Sequence, residues 1–132
     1  MKNRIVHFEI HAENPEQAAI FYGNVFGWDI KKWEGPMEYW VVMTAEAGSK
    51  EPGINGGLMK RMGESPKEGQ PVNAFVCTVQ VDSIDETIQK IEAEGGTCAL
   101  PKMALPGMAW QAYYKDLEGN MFGIHQADPN AQ

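Results

Sequence analysis

The sequence predicts a duplicated α+β fold, in which a strand–helix–strand–strand–strand module occurs twice along 132 residues. Three observations predict it. Residues 4 to 11 alternate strictly in polarity, two capped helical segments each follow a strand-like run, and a polar stretch rich in Gly and Pro divides the two halves. Such a length suits one compact domain or two small modules sharing a core, burying roughly two-thirds of the surface of the unfolded chain. At 43% apolar and 22% charged residues, the composition is that of a globular chain rather than a disordered one.

The first strand places Val6, Phe8 and Ile10 on one face and His7, Glu9 and His11 on the other. A helix then starts at Asn14-Pro15-Glu16-Gln17, where Asn14 caps, Pro15 suits the first helical position and Gln17 stands at the capping-box position. Ala18, Ile20, Phe21, Tyr22, Val25 and Phe26 give it an apolar side, and Gly27 stops it. Strand-like runs follow at residues 28–33, 39–44 and 54–60. Residues 62–71 read as a linker. The pattern then restarts with a strand over 74–81, the capping box Ser83-Ile84-Asp85-Glu86, and a helical face of Ile84, Ile88 and Ile91 that ends at Gly95-Gly96. Strands are expected at 97–100, 109–114 and 121–126, with Asp116 to Asn120 as the last turn. An offset of 69 residues carries Gly27 onto Gly96 and Glu16 onto Asp85. This internal repeat makes one domain of two modules, residues 4–61 and 74–127, joined by 62–73.

Charge excludes several functions. The net charge of −7 disfavours nucleic acid and anionic membrane surfaces, which are held by a lysine and arginine surplus. No run approaches the ~18 apolar residues of a membrane-spanning helix. Met1-Lys2-Asn3-Arg4 leads into a segment bearing Glu and His rather than an apolar signal region, so a cytoplasmic protein is expected. Cys77 and Cys98 form no disulfide framework and read as free thiols, and two cysteines with three histidines are too few for zinc fingers or iron–sulfur clusters.

The stretch from Asn14 to Trp28, with Phe21-Tyr22 and Phe26-Gly27-Trp28, and the stretch from Lys115 to Ile124 resemble the vicinal oxygen chelate superfamily of glyoxalase I, bleomycin-resistance proteins and extradiol dioxygenases. The segment Pro101 to Gly107 is similar to its glyoxalase-like branch of unassigned substrate. The resemblance covers roughly residues 4 to 127 and implies two curled mixed sheets facing each other around a cavity, helices outside, and homodimers. It also implies a divalent metal held by a first-strand and a last-strand side chain from each module. Those positions fall on His7, Val76, Gly57 and Gly123, of which only His7 can bind an ion. No metal is therefore expected at the usual place. The alternative is a site rebuilt through Glu9, His11 or His125, although His7 and His11 lie roughly 13 Å apart along a strand, too far for one ion.

Each candidate has a plainer reading. His7 also reads as a hydrogen-bonded histidine, and Glu9 as an ion-pair partner of His7, His11 or Arg4 rather than a general base. Strand glycines mark bends, or let a ligand approach and widen a pocket, as Gly57 and Gly123 would. Trp28 reads as core, while Trp33, Trp40 and Trp110 are divided between core and cavity wall. Met103 and Met108 flank a loop that reads as a lid or as ordinary packing. The ligand-binding set is His7, Glu9, His11, Asn55, Gly57, Val76, Thr78, Gly123 and His125, with His7 and Glu9 the candidate catalytic pair. The expected function is binding of a small organic molecule without a cofactor. The alternative is a lyase or isomerase of a small carbonyl compound, using a rebuilt metal site or Glu9 and His7 as acid and base.

Overall fold

In the computed structural model, which describes residues 3–71, 73, 75–118 and 120–132, the chain is mixed α+β with two helices and eight strands. The elements run β1 (Arg4–Ala12), α1 (Pro15–Phe26), β2 (Asp29–Lys32), β3 (Trp40–Met43), β4 (Gly56–Lys60), β5 (Val76–Gln80), α2 (Ile84–Ala93), β6 (Thr97–Leu105), β7 (Ala109–Lys115) and β8 (Met121–Ala127). This is the expected strand–helix–strand–strand–strand order, twice. Ala74, the expected first residue of β5, and Gly119 of the last turn lie outside the described residues, as do Met1 and Lys2.

Two compact units result. One is His7–Phe75; the other is Val76–Gln132 with the first residues through Val6. β1 thus contributes its opening residues to the second unit, where Asn3 N–H donates to Gln80 O at 2.9 Å. In the first unit the strand order is β2-β3-β4-β1, with β1 and β4 parallel and the other neighbours antiparallel. In the second the order is β5-β8-β7-β6, again with one parallel pair, β5 and β8.

Each helix starts where its cap predicts. Asn14 Oδ1 accepts from Gln17 N–H at 3.1 Å, and Ser83 Oγ accepts from Glu86 N–H at 3.2 Å. Gly27 ends α1 at φ 74°, a left-handed conformation that glycine adopts without strain. Each helix covers one face of its own sheet, but α1 does so through Ala18, Ala19 and Tyr22, while Ile20, Phe21, Val25 and Phe26, expected on its apolar side, are exposed. Phe8, Ile10, Trp40, Val42 and Leu58 form the first core, against Ala18, Ala19, Tyr22 and Trp28. Ile84, Ala112, Tyr114, Ile124 and Val81 form the second, against Ile88, Ile91 and Trp110. Trp40 and Trp110 therefore belong to the helix-covered faces.

The segment after Leu100 departs from expectation. Residues 101–105 continue β6 rather than forming a lid loop, and Met103 pairs with Gln111. Pro101 is tolerated because β6 is the last strand in its order, where a missing N–H costs no ladder bond, and the register shifts on both sides of Leu100 absorb its geometry. Only a tight turn remains, closed by Met108 N–H to Leu105 O at 2.9 Å with Gly107 at φ 73°. The chain end is also held more firmly than its position suggests: Gly107 N–H donates to Ala131 O at 2.9 Å and Ala131 is 1% exposed.

Leu58 is fully buried beneath α1. Leu58→Ala should lower the unfolding free energy by about 2–5 kcal/mol, whereas Asn14→Ala should cost about 1 kcal/mol, both read from urea denaturation.

Candidate functional site

Strand periodicity decides what stands on the uncovered face of the first unit. Phe8 and Ile10 point to α1, so His7, Glu9 and His11 stand on the opposite side. The register sets Glu9 beside Gly57, Gly57 beside Val41, and Val41 beside Lys31, one row across all four strands. Tyr39 precedes β3 with the parity of Val41, and its side chain crosses over Gly57 to reach β1. Its hydroxyl donates to Glu9 Oε2 at 3.0 Å and lies 2.8 Å from His7 Nε2. The His7 and Tyr39 rings are nearly parallel, 16° apart.

Gly57 makes this possible. A Cβ built on it would overlap the Tyr39 ring, so the space a side chain would take is filled by the phenol. At this position the missing side chain admits a neighbour rather than widening a pocket. Glu9 is 5% exposed, and its other oxygen lies 3.7 Å from His11 Nε2. Arg61 Nη2 donates to the His11 backbone oxygen, and Arg61 Nη1 donates to Asn73 Oδ1 at 3.1 Å, which ties the linker to the end of β1. Burial holds the His7 pKa below its ordinary value, an effect that the neighbouring Glu9 carboxylate partly opposes. Neutral imidazole is thus the resting form.

The same sheet carries an open groove of about 620 Å³ in which the charged Asp29, Lys31, Lys32 and Glu34 stand with Trp33 and Val41. That size lies in the range of small-molecule sites. Trp33 lines this groove and its ring meets Tyr39 edge-on at a centroid distance of 6.4 Å. Trp33 is thus the cavity-side candidate among the tryptophans. Asn55 serves the strands instead. Its Oδ1 accepts from Thr44 N–H at 2.9 Å and from Thr44 Oγ1 at 3.2 Å, joining the ends of β3 and β4.

The second unit carries its own polar group on its uncovered face. Gln111 Oε1 and His125 Nδ1 are 2.8 Å apart, and Gln111 Nε2 approaches Thr78 Oγ1 at 3.5 Å. Thr78 is 2% exposed and pairs directly with Gly123. A Cβ on Gly123 would lie 2.5 Å from Thr78 Oγ1 and 2.9 Å from Gln111 Nε2, so this glycine also clears space for its neighbours. Val76 begins β5 on the same face as Thr78.

The structure therefore brings His7, Glu9, His11 and Gly57 together in one unit, and Thr78, Gly123 and His125 together in the other. Tyr39 and Gln111 are the functional candidates that sequence reasoning missed. Parity could have found both, because Tyr39 shares the alternation of Val41, and Gln111 that of Tyr113. The donor set does not fit the superfamily's divalent ion. Its four positions supply one imidazole and no carboxylate, and the volume above Gly57 belongs to Tyr39. Among the described residues no group of three or more His, Cys, Asp or Glu side chains is placed to hold a metal ion.

Two outcomes follow from this geometry. Gly57→Ala should displace the Tyr39 ring and lower stability by about 1–3 kcal/mol, as overpacking does, with a crystal structure of the variant showing the His7–Tyr39–Glu9 bonds broken. The second concerns pH. A histidine whose folded pKa is depressed contributes its full stability above its unfolded value of about 6.5 and loses it as the pH falls below that value. Urea midpoints at pH 7.5 and 5.5 should therefore fall more in the wild type than in His7→Gln; equal falls would contradict the assignment.

Comparison with known proteins agrees with the topology. A family model described as the Glyoxalase/Bleomycin resistance protein/Dioxygenase superfamily matches residues 4–124. Among solved structures, a hypothetical protein from Bacillus halodurans C-125 is similar at 18% identity, covering 100% of this chain and 99% of that one, with a TM-score of 0.64. Methylmalonyl-CoA epimerase from Mycobacterium tuberculosis is similar at 16% identity, covering 95% and 88%, with a TM-score of 0.62. A variant of the Streptomyces coelicolor methylmalonyl-CoA epimerase, solved in complex with 2-nitronate-propionyl-CoA, is similar at 14% identity, covering 96% and 98%, with a TM-score of 0.64. A search of curated proteins gave no match. At these identities the structural likenesses speak for the fold. With the family model spanning nearly the whole length, the chain belongs to the glyoxalase/bleomycin resistance protein/dioxygenase superfamily.

Proposed function

We propose that this protein binds a small organic molecule on the uncovered face of its first unit, without a stoichiometric divalent metal. The observation that carries the reading is the Tyr39 hydroxyl set between His7 and Glu9 over Gly57. It supplies a phenol, an imidazole and a carboxylate as convergent polar anchors, on the same sheet as a groove that Trp33 lines. Apolar body contacts with a few placed polar groups are what a small-molecule site needs. His125, Gln111 and Thr78 form a separate polar set on the second unit.

A second reading is favoured by one observation. Glu9 is a buried carboxylate with proton-bearing neighbours, which is the equipment of a general base. The protein would then be an isomerase or lyase of a hydroxy-carbonyl compound, and the epimerases of like fold support the isomerase class. In either case we place it in the cytoplasm, as a homodimer whose partner is its small ligand rather than nucleic acid or membrane. The net charge of −7 supports the exclusion of polyanions, and both cysteines are free. No helix among the described residues is long and apolar enough to cross a membrane.

The test is a thermal-shift screen of small hydroxy-carbonyl and aromatic compounds, with metal analysis of untagged protein. Binding should raise the melting temperature with the logarithm of ligand concentration above the Kd, and Trp33→Ala should weaken it about tenfold, roughly 1.4 kcal/mol. One metal per chain that disappears in His7→Ala would overturn the metal-free reading. Compounds that bind unchanged in Trp33→Ala would overturn the placement.

A further inference from the structure

We propose that His7, Tyr39 and Glu9 form a proton relay that takes up a proton at His7 Nδ1 and delivers one at Glu9, the transfer that interconverts the enol and keto forms of a carbonyl compound. The proposal deepens the reading of this face as the ligand site and rests on it.

The argument starts from proton counting. A phenol has one proton to donate. Tyr39 spends it on Glu9 Oε2 at 3.0 Å, so its oxygen is left to accept from His7 at 2.8 Å. Burial keeps His7 neutral, and a neutral imidazole carries one proton. That proton must therefore sit on Nε2, which leaves a lone pair on Nδ1. The chain is thus polarised in one direction: His7 Nε2–H to Tyr39 O–H to the Glu9 carboxylate.

This arrangement can run as a relay. When Nδ1 takes a proton from a ligand hydroxyl, the Nε2 proton passes to the Tyr39 oxygen and the Tyr39 proton passes to Glu9. The bonds formed are Nδ1–H, a new Tyr39 O–H and Glu9 O–H. Those broken are the ligand O–H, Nε2–H and the old Tyr39 O–H. Glu9 then gives its proton to the ligand carbon beside the carbonyl, so an enol leaves as a ketone with no net gain or loss of protons. The imidazole is left with its proton on Nδ1 and the Tyr39 proton turned toward Nε2, the form that runs the steps in reverse; loss of the Nδ1 proton to water and uptake of one at Nε2 restores the starting form before the next turnover. Atoms and charges balance without a metal or redox partner. His11 lies against the second carboxylate oxygen, Gly57 brings no charge, Lys31 stands across the row on β2, and Arg61 is committed to His11 O and Asn73.

Tyr39 is indispensable to this scheme, and the seat over Gly57 fixes its hydroxyl. The first test uses ligand-free protein, so its result stands apart from whether any compound binds. Nitrogen NMR at pH 8 should show His7 as the Nε2–H tautomer in the wild type. Tyr39→Phe, which keeps the ring and removes only the hydroxyl, should lose that preference while its melting temperature confirms folding. An Nδ1–H tautomer in the wild type, or an unchanged preference in Tyr39→Phe, would overturn the relay. The second test follows ketonisation of the enol of phenylpyruvate by absorbance. The wild type should accelerate it, and Tyr39→Phe and Glu9→Gln should each lose at least tenfold of that acceleration. No acceleration by the wild type, or a full rate in Tyr39→Phe, overturns it. Ligands that fail in the thermal screen while the tautomer behaves as stated would count against the binding reading alone.

Discussion

A carboxylate that is 5% exposed must be met by donors, and this requirement at Glu9 organises the first unit. Burying an unmatched carboxylate would cost several kcal/mol. The match comes from Tyr39, two strands away in the sheet, and therefore needs an open path over the strand between. Gly57 is that path. The strand register that aligns Glu9 with Gly57 is in turn fixed by the opposite face, where Phe8, Ile10 and Leu58 must meet α1. A slip of one residue would put Phe8 against Tyr39 and Glu9 beneath the helix. Core packing on one face thus positions chemistry on the other.

The duplicated architecture was legible because its signals are local. Alternation at 4–11, the Asn14 and Ser83 caps and the stop at Gly27 are each written within a few residues. The extension of β6 past Leu100 is not legible in the sequence, because whether a strand can carry Pro101 depends on its lying at an edge, which is a property of the whole sheet. The hold on the chain end was invisible for a similar reason. Its partners, Gly107 and Met108, lie far back along the chain, and nothing in the tail's own composition announces them.

The site was half legible. The shared face of His7, Glu9 and His11 followed from period two alone. That both family carboxylate positions are glycine was also plain. What takes the place of those side chains was not, because filling a space is a relation between residues far apart in the chain. Tyr39 lies 18 residues before Gly57, and Gln111 lies 12 before Gly123. A missing side chain raises the question of what enters the gap, and only packing answers it. In both units the answer is a polar side chain from the neighbouring strand or its approach, so the two modules have solved the same vacancy in parallel ways.

The exclusive claim of Tyr39 and residue 57 on one volume has a historical consequence. A carboxylate on residue 57 and a phenol from residue 39 in its present position claim the same volume. A lineage moving between them must first empty the space, by shrinking one side chain before enlarging the other. An intermediate with the space empty carries a void beside an imidazole and a buried acid, at a cost in stability. Such a valley makes the exchange rare and hard to reverse. Descendants of one ancestor on either side of it would diverge in chemistry while their strands and helices stay the same.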